Sequence, residues 1–398
     1  MKALWIVLAL AGSARADDVT LATVTAAVDQ APLARATEQD VAAATSRVDA
    51  AGGWAPTTLH GGTNRLTARV VAGITFPLPI LGTLGAARDE AAAHATVVRD
   101  EGAVARRDLR HRAITAWLEL SRADTQVATL VTAATQAAEL ERIAQGRLDA
   151  GVGGEVDVTS AHAARARADV AVSAARRESR ARAAELAGIL AWDAARERHA
   201  TGPLPGGTGD LEALRRSLAA HPERAAAVAR IGEAEAVEHR ISVAYRPVLA
   251  GEVTASFDDP TMAPGPRNDV SAGLAFELPL FGHLGDQAAA ARHDTTAARA
   301  RLASVDSDLT AGLIAAYERW QAARERMTGL ETEVVPAQQK AARLAAQAFR
   351  EGARDLATAL QAARDQAAVD AELANARIDT AQAWIELAIA AGKDDGAH

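Results

Sequence analysis

The residues of this chain that could do chemistry are its ten histidines and one charged, glycine-rich stretch, residues 147–158. The histidines are scattered, without the His-x3-His or Glu-x2-His spacing of zinc and metalloprotease sites. No Gly-x-Ser-x-Gly nucleophile elbow occurs, and Gly151-Val152-Gly153-Gly154 lacks the following lysine and preceding strand of a phosphate loop. We therefore predict no catalytic residue, no metal ligand, no cofactor and no enzymatic activity.

The glycine-rich stretch predicts a turn between two helices. It begins at Arg147, carries three glycines between residues 151 and 154, and ends in Asp157-Val158. Glycine accepts the left-handed conformation that ends helices, so the first helix should stop near Gly151 and a second should run from about Glu155 to Trp192. The glycines alone favour an ordinary helical-hairpin turn.

The helix before this turn is predicted to be very long. Residues 86–150 contain no proline and are rich in alanine, leucine and charged residues, which favour helix. Small or apolar residues recur in steps of four and three, a heptad seam that lets neighbouring helices approach closely. This seam comprises Leu109, Ala113, Ala116, Leu120, Ala123, Val127, Leu130, Ala134 and Ala137. A helix of roughly 65 residues would be about 100 Å long.

The N-terminus predicts export. Residues 1–16 contain Lys2, a short apolar run and an Ala-x-Ala pattern, which indicates a cleaved signal peptide rather than a membrane anchor. The formal charge is −8, which argues against a nucleic-acid partner. The chain has no cysteine, so packing or oligomerisation rather than disulfides must stabilise it. It also has no N-terminal cysteine that could carry a lipid anchor.

The chain also contains an internal repeat. Phe76-Pro-Leu-Pro-Ile-Leu-Gly-Thr-Leu-Gly85 recurs 200 residues later as Phe276-Glu-Leu-Pro-Leu-Phe-Gly-His-Leu-Gly285, with most positions unchanged. Each repeat is predicted to form a helix, a β-hairpin and a long helical hairpin. The predicted divisions are a signal peptide (1–16), a first repeat (17–200), a linker (201–210), a second repeat (211–392) and a tail (393–398).

Short strands are predicted before each long helix. Apolar and polar residues alternate over Arg65–Phe76, Val248–Phe257 and Asp269–Leu278. This alternation fits a membrane-spanning strand with one face on lipid and one on water, and it equally fits a half-buried soluble hairpin. Gly61-Gly62 is the predicted turn of the first hairpin, which leaves only a short strand over Thr57–His60.

Four such strands cannot close a barrel by themselves, since small barrels need about eight. Open edges are not tolerated in lipid. Strands that span a membrane would therefore require association of copies, two giving a packed eight-stranded barrel and three a twelve-stranded one with a lumen.

From the signal peptide to about Gly392 the chain resembles the TolC family of outer-membrane efflux proteins. The likeness rests on the duplicated layout, the Leu-Pro-Leu-Phe-Gly type of junction, and the spacing of Arg147, Gly151 and Asp157-Val158. It implies a mainly α homotrimer with a membrane β part: a long antiparallel α-helical barrel crosses the periplasm, and a twelve-stranded β-barrel, four strands per chain, lies in outer-membrane lipid. It further implies a passive exit duct whose partners are a periplasmic adaptor and a proton-driven or ATP-driven inner-membrane pump.

The same resemblance implies a gate at the helix tips. The family's latch between an aspartate and an arginine falls on Asp157 and Arg354, the second-tip glycine on Gly352, and the family's tyrosine on Phe349, which lacks a hydroxyl. The aspartates that line the pore in some members fall on Thr358 and Gln361, which puts an aspartate ring in doubt for this chain.

Aromatic residues and prolines flank the strands and are candidates for the membrane-interface junction. They are Trp54, Phe76, Pro79, Tyr245, Phe276, Pro279 and Phe281. The aromatic ones form either an interface girdle or a packed junction between the helical and β parts. An alternative function is a soluble periplasmic coiled-coil adaptor or scaffold, which two complete hairpins and the absence of a lipoyl-like module disfavour.

Overall fold

The structure is a computed structural model that describes residues 17–54, 56–64, 69–78, 81–257, 268–277 and 283–393. The predicted signal peptide and most of the C-terminal tail lie outside the described residues. The helices are α1 (Leu21–Val28), α2 (Pro32–Ala51), α3 (Thr83–Asp149), α4 (Glu155–Leu190), α5 (Leu211–Ser217), α6 (Pro222–Val243), α7 (Leu284–Gly329), α8 (Val335–Arg350) and α9 (Leu356–Ala390). The strands are β1 (Asp17–Val19), β2 (Thr58–Asn64), β3 (Arg69–Leu78), β4 (Arg198–Ala200), β5 (Val248–Phe257) and β6 (Asp269–Glu277).

The predicted helical hairpins are both present. The first consists of α3, 67 residues long, and α4. The second consists of α7, a π-helical turn over Leu330–Val334, α8 and α9. Within the described part of the chain, no helix has a stretch apolar and long enough to cross a membrane.

The chain divides into two compact units, each of which draws on both halves of the sequence. One comprises Met1–Arg35, Ala105–Ala219 and Leu309–His398, and the other Ala36–Val104 and Ala220–Asp308. We refer to them as the tip unit and the sheet unit, after the features that they contain.

The main core of the tip unit lies under the short parallel pair of β1 and β4. Trp117 is 1% exposed, and its indole Nε1 donates a hydrogen bond of 2.8 Å to the backbone oxygen of Val19. The predicted seam residues Leu109, Ala113 and Leu120 are buried in the same core. Ala123 is buried as well, and the other five seam residues are partly buried, so the heptad pattern matches the buried face of α3 in part.

The Asp124 carboxylate ties β4 to the first hairpin. It accepts hydrogen bonds from the Ser179 hydroxyl (2.6 Å) and the Ala200 backbone N–H (2.8 Å), and it lies 3.1 Å from Nδ1 of His199. Serine and histidine both contact the aspartate rather than each other, so the three side chains do not form a nucleophilic triad. Their arrangement is structural.

The linker between the repeats lies against a second, tryptophan-rich core of the tip unit. Trp320 and Trp384 are buried with ring centroids 5.4 Å apart. A Cβ on Gly207 would lie 2.4 Å from the Trp384 ring, closer than such contacts allow. Only glycine lets the linker backbone approach the indole this closely.

Gly207→Ala should therefore destabilise the protein by about 1–3 kcal/mol, the usual range for overpacking. Gly206→Ala is the matched control, since an added Cβ there meets no atom within 4 Å. Thermal unfolding of both variants checks this, and equal melting temperatures would contradict the contact.

In the sheet unit, ion pairs join α6 to α3 and α7, and the buried side chains near these pairs include alanines. Ala226 and Ala291 are buried, and both have minimal side chains. Ion pairs that join α6 to its neighbours include Arg240–Glu90, His94–Glu233, Arg230–Glu101, Arg224–Asp306, Arg299–Glu235 and Arg292–Glu238. Alanine lets these helices approach closely, while the charged ends remain at the surface.

The described strands of the sheet unit form an antiparallel sheet of order β2-β3-β5-β6, in which β2 and β6 are the edges. The prediction for Val248–Phe257 is confirmed, and that for Asp269–Leu278 is confirmed through Glu277. The prediction of a turn at Gly61-Gly62 is wrong, because these residues pair with Ala72 and Val71 inside the ladder. β2 therefore runs to Asn64, and the described part of its partner begins at Arg69 and extends past Phe76 to Leu78.

Candidate functional site

The first helix tip is closed by the predicted glycine. Gly151 has φ +73°, in the left-handed region that glycine tolerates best. Its N–H donates to the oxygen of Leu148 (2.9 Å), and the N–H of Val152 donates to the oxygen of Arg147 (3.0 Å). These two bonds form a Schellman motif, which satisfies the last carbonyl groups of α3.

The second tip repeats the same geometry. Gly352 has φ +76°, its N–H donates to the oxygen of Phe349 (3.0 Å), and the N–H of Ala353 donates to the oxygen of Ala348 (2.8 Å). Asp355 then caps α9 by accepting a hydrogen bond from the Thr358 backbone N–H (3.0 Å). The two tips therefore share one closing motif, as the internal repeat predicted.

Arg147 joins the two tips within one chain. Its guanidinium Nη1 donates a hydrogen bond of 2.8 Å to the backbone oxygen of Phe349, and its Cζ lies 5.1 Å from the centroid of the Phe349 ring. An added Cβ on Gly352 would lie 3.3 Å from the same Nη1. The side chain that opens the first tip motif thus contacts the C-terminal end of α8.

Phe349 is the centre of a small core beneath the tips. Its side chain is 1% exposed. The cluster contains Leu140, Ala144, Ala161, Leu356 and Ala359, with Val158 packed at its margin. The resemblance places a tyrosine at this position. In this chain the Phe349 ring instead packs within the cluster and lies beneath the Arg147 guanidinium.

Asp157 and Arg354 are both at the tips, but no ion pair joins them among the described residues of this single chain. Asp157 lies in the first turn of α4, and its backbone N–H donates to the oxygen of Gly154. Arg354 lies in the exposed turn before α9. The latch between these two residues stays a prediction.

Thr358 and Gln361 are each bonded to a neighbouring aspartate. The Thr358 hydroxyl donates to Asp355, and the Gln361 amide donates to Asp365 at 2.7 Å. The hydrogen bonds from the Thr358 hydroxyl and N–H hold the pKa of Asp355 below its ordinary value. The carboxylates of this region thus lie beside the two positions at which the family places aspartates.

Acidification should loosen the start of α9. A carboxyl whose pKa is lower in the folded state stabilises the fold above its unfolded pKa, and this contribution is lost as the pH falls through the folded value. Protection of the Thr358 amide from hydrogen exchange should therefore decrease below about pH 4. In Asp355→Asn the cap acceptor remains but does not titrate, so protection should not change there with pH; an unaltered pH dependence in this variant would contradict the assignment.

One face of the sheet is apolar over all four strands. Residues paired across an antiparallel ladder lie on the same face, so the register assigns the faces. The apolar face comprises Leu59, Gly61, Thr63, Val70, Ala72, Ile74, Phe76, Leu78, Leu249, Gly251, Val253, Ala255, Phe257, Val270, Ala272, Leu274 and Phe276. Leu59 is 76% exposed and Val270 72%, which is unusual for a surface in contact with water.

The opposite face of the sheet is polar or small at most positions. It carries Thr58, His60, Thr75, Glu252, Thr254, Ser256, Asp269 and Ser271, with glycines at 62, 73 and 273. Nε2 of His60 lies 3.6 Å from Oε1 of Glu252. A sheet with one apolar and one polar face is typical of the wall of a transmembrane β-barrel.

The candidate interface aromatics differ in burial. Trp54, Tyr245 and Phe276 are exposed, whereas the Phe76 ring covers Gly251 and is partly buried. Pro79, Pro279 and Phe281 lie outside the described residues. The interface girdle and the packed junction both stay predictions.

Sequence reasoning missed two contacts of the candidate site. Arg147 was recognised as part of a tip motif, but its bond to a backbone oxygen 202 residues away leaves no pattern in the sequence. Glu252 occupies a polar position in an alternating strand, and this pattern could have assigned it to the polar face of the sheet. Its proximity to His60 depends on the order of the strands, which the alternation does not give. In the part of the chain that is described, no group of three or more histidine and acidic side chains is placed to hold a metal ion.

Residues 213–393 match the family described as outer membrane efflux protein. The match covers the second repeat and agrees there with the resemblance that the sequence indicated. No curated protein matches the chain significantly.

Solved structures share the fold over nearly the whole chain. The outer membrane protein VceC from Vibrio cholerae has a TM-score of 0.75 at 17% identity, covering 94% of this chain and 96% of that one. The open state of the MtrE outer membrane channel from Neisseria gonorrhoeae has a TM-score of 0.75 at 14% identity, covering 97% and 94%. The CmeC outer membrane channel from Campylobacter jejuni has a TM-score of 0.76 at 13% identity, covering 94% and 85%. At these identities, the likeness establishes the fold.

Proposed function

Because residues 213–393 match the outer membrane efflux protein family and the fold is that of outer-membrane channels, we propose that this chain is the outer-membrane exit duct of a tripartite efflux or secretion system. It conducts solutes passively and is a channel rather than an enzyme. The proposed location is the outer membrane, with a periplasmic helical extension and a cleaved signal peptide.

The observation that carries this proposal is the one-sided sheet with two open edges. An exposed apolar face needs lipid, and unpaired backbone groups at β2 and β6 are not tolerated there. Pairing β6 of one copy with β2 of the next satisfies both edges. Three copies give a twelve-stranded barrel with a water-filled lumen. Two copies would give an eight-stranded barrel, whose interior is filled by side chains. The proposed assembly is therefore a homotrimer.

We propose that the two helix tips form the periplasmic entrance and the docking point for an adaptor and an inner-membrane pump. Val152 and Val156 at the first tip are 69% and 77% exposed, which leaves apolar surface available for a partner. The Asp157–Arg354 latch belongs to this proposal, because a charge pair of modest strength can be released when a partner displaces one side.

Expression with the natural signal, followed by fractionation and bilayer recording, tests the proposal. We expect detergent-extracted trimers from the outer membrane that form discrete pores in a planar bilayer. Recovery as a monomer in the soluble periplasm would overturn the duct and favour the scaffold alternative.

A further inference from the structure

We propose that Glu252 determines which ions and solutes the channel favours, by placing a ring of carboxylates in the β-barrel lumen that attracts cations. This inference rests on the proposed function, since it needs the sheet to line a pore. It adds a specificity-determining residue and a substrate preference, for cationic over anionic solutes.

The register places Glu252 on the lumenal side and near mid-depth. β5 spans Val248–Phe257, and Glu252 lies halfway along it. Its neighbours Leu249, Gly251, Val253 and Ala255 all belong to the apolar face, so the lipid-facing side is fixed by many residues and Glu252 is on the other.

Small residues surround the carboxylate, so it is not covered. Glu252 pairs with Thr75 on β3 and Gly273 on β6. A threonine and a glycine on either side leave the acidic group free to face the lumen. About 45% of its side chain is exposed in the single chain.

Two neighbours hold the carboxylate in place. The Thr254 hydroxyl donates to Oε1 of Glu252 at 3.2 Å, and Nε2 of His60 lies 3.6 Å from the same oxygen. The His60 ring lies directly over Gly73, where an added Cβ would come within 2.3 Å of Nε2. Gly73 therefore makes room for the imidazole beside the glutamate.

The position gives this charge a strong effect on permeation. Field lines from a fixed charge are focused in a water-filled pore with low-dielectric walls, and rings of charged side chains set ion selectivity. Asp269 is also on the lumenal face, but it lies at the first residue of β6. Glu277, at the other end of β6, lies on this face as well, so among the described strand residues of this sheet Glu252 is the acidic one in the interior of a strand.

Reversal potentials in a KCl gradient test the proposal at constant neutral pH. We expect the wild-type pore to prefer K⁺ over Cl⁻, with the permeability ratio reduced by about threefold or more in Glu252→Gln. Glu252→Lys should make the pore prefer anions. Asp269→Asn, at the strand end, should change the ratio less.

The absence of cysteine allows a sharper version of this experiment. Glu252→Cys introduces a unique thiol, and a negatively charged thiosulfonate reagent should restore the cation preference, whereas a positively charged one should reverse it. Val253→Cys, on the lipid face, is the matched control, and its selectivity should not respond to either water-soluble reagent.

The outcomes separate the two proposals. A wild-type protein that forms no pores overturns the channel function and this inference with it. Pores whose selectivity is the same in Glu252→Gln, Glu252→Lys and the labelled cysteine variant leave the channel standing and overturn the role of Glu252.

Discussion

Replacing Phe349 by alanine is expected to remove about 3–5 kcal/mol of stability from the helix tips, the usual cost of deleting a buried aromatic ring. The ring is almost fully buried, and the cluster around it contains residues from α3, α4 and α9. A cavity there cannot be filled easily, because several neighbours are alanines with no side-chain reach. Loss of the ring also removes the aromatic face beneath Arg147.

Hydrogen exchange is the appropriate measurement, because the tips can open locally without global unfolding. Amides at the ends of α8 and α3 should lose protection together in Phe349→Ala. Leu344→Ala is the matched control on the same helix, since Leu344 is 57% exposed, and its effect should stay within about 0.5 kcal/mol. Equal effects of the two substitutions would contradict the tip core.

The helical part of the fold could be read from the sequence because its determinants are local. Absence of proline, alanine-rich composition and heptad spacing act over a few turns, and Gly151 supplies the one conformation that ends α3. The repeat then extended the same reasoning to Gly352. These features predicted two hairpins and the limits of their tips to within a few residues.

The sheet was predicted less well because its decisive information is not local. Gly61 and Gly62 fit a hairpin turn by type, yet pairing with Val71 and Ala72 keeps them in β2. Glycine tolerates both conformations, so the ladder decides between them. Alternation identified the two faces of the strands, but the meeting of His60 with Glu252 needed the strand order.

The contacts between the tips were also beyond local patterns. Arg147 binds a backbone oxygen, and any residue at position 349 presents such an oxygen. No pairing of side-chain types therefore marks the contact in the sequence. The resemblance pointed to a charge pair between Asp157 and Arg354. The contact that the single chain makes between its tips instead joins the Arg147 guanidinium to the backbone oxygen and the ring of Phe349.

Arg147→Met is expected to separate the two tips, with a loss of about 2 kcal/mol or more. A charged hydrogen bond to a partly buried carbonyl and a cation–π contact are removed together, while methionine retains much of the apolar stem. Arg147→Lys should recover only part of the loss, because an ammonium group is not planar and stacks less well on the ring. Exchange protection at both Schellman turns provides the measurement.

Arg142→Met is the matched control for this loss, since Arg142 lies on the same helix and pairs with Glu139 at the surface. A surface pair of this kind contributes little, so its removal should leave the tips protected. In the proposed channel, uncoupled tips should also increase the fraction of time that single pores are open, and Arg142→Met should not.

A double-mutant cycle that combines Arg147→Met with Phe349→Leu then measures how much of the coupling is due to the ring, because the backbone oxygen of residue 349 remains in every variant. Strictly additive losses would mean that the hydrogen bond to this oxygen alone joins the tips.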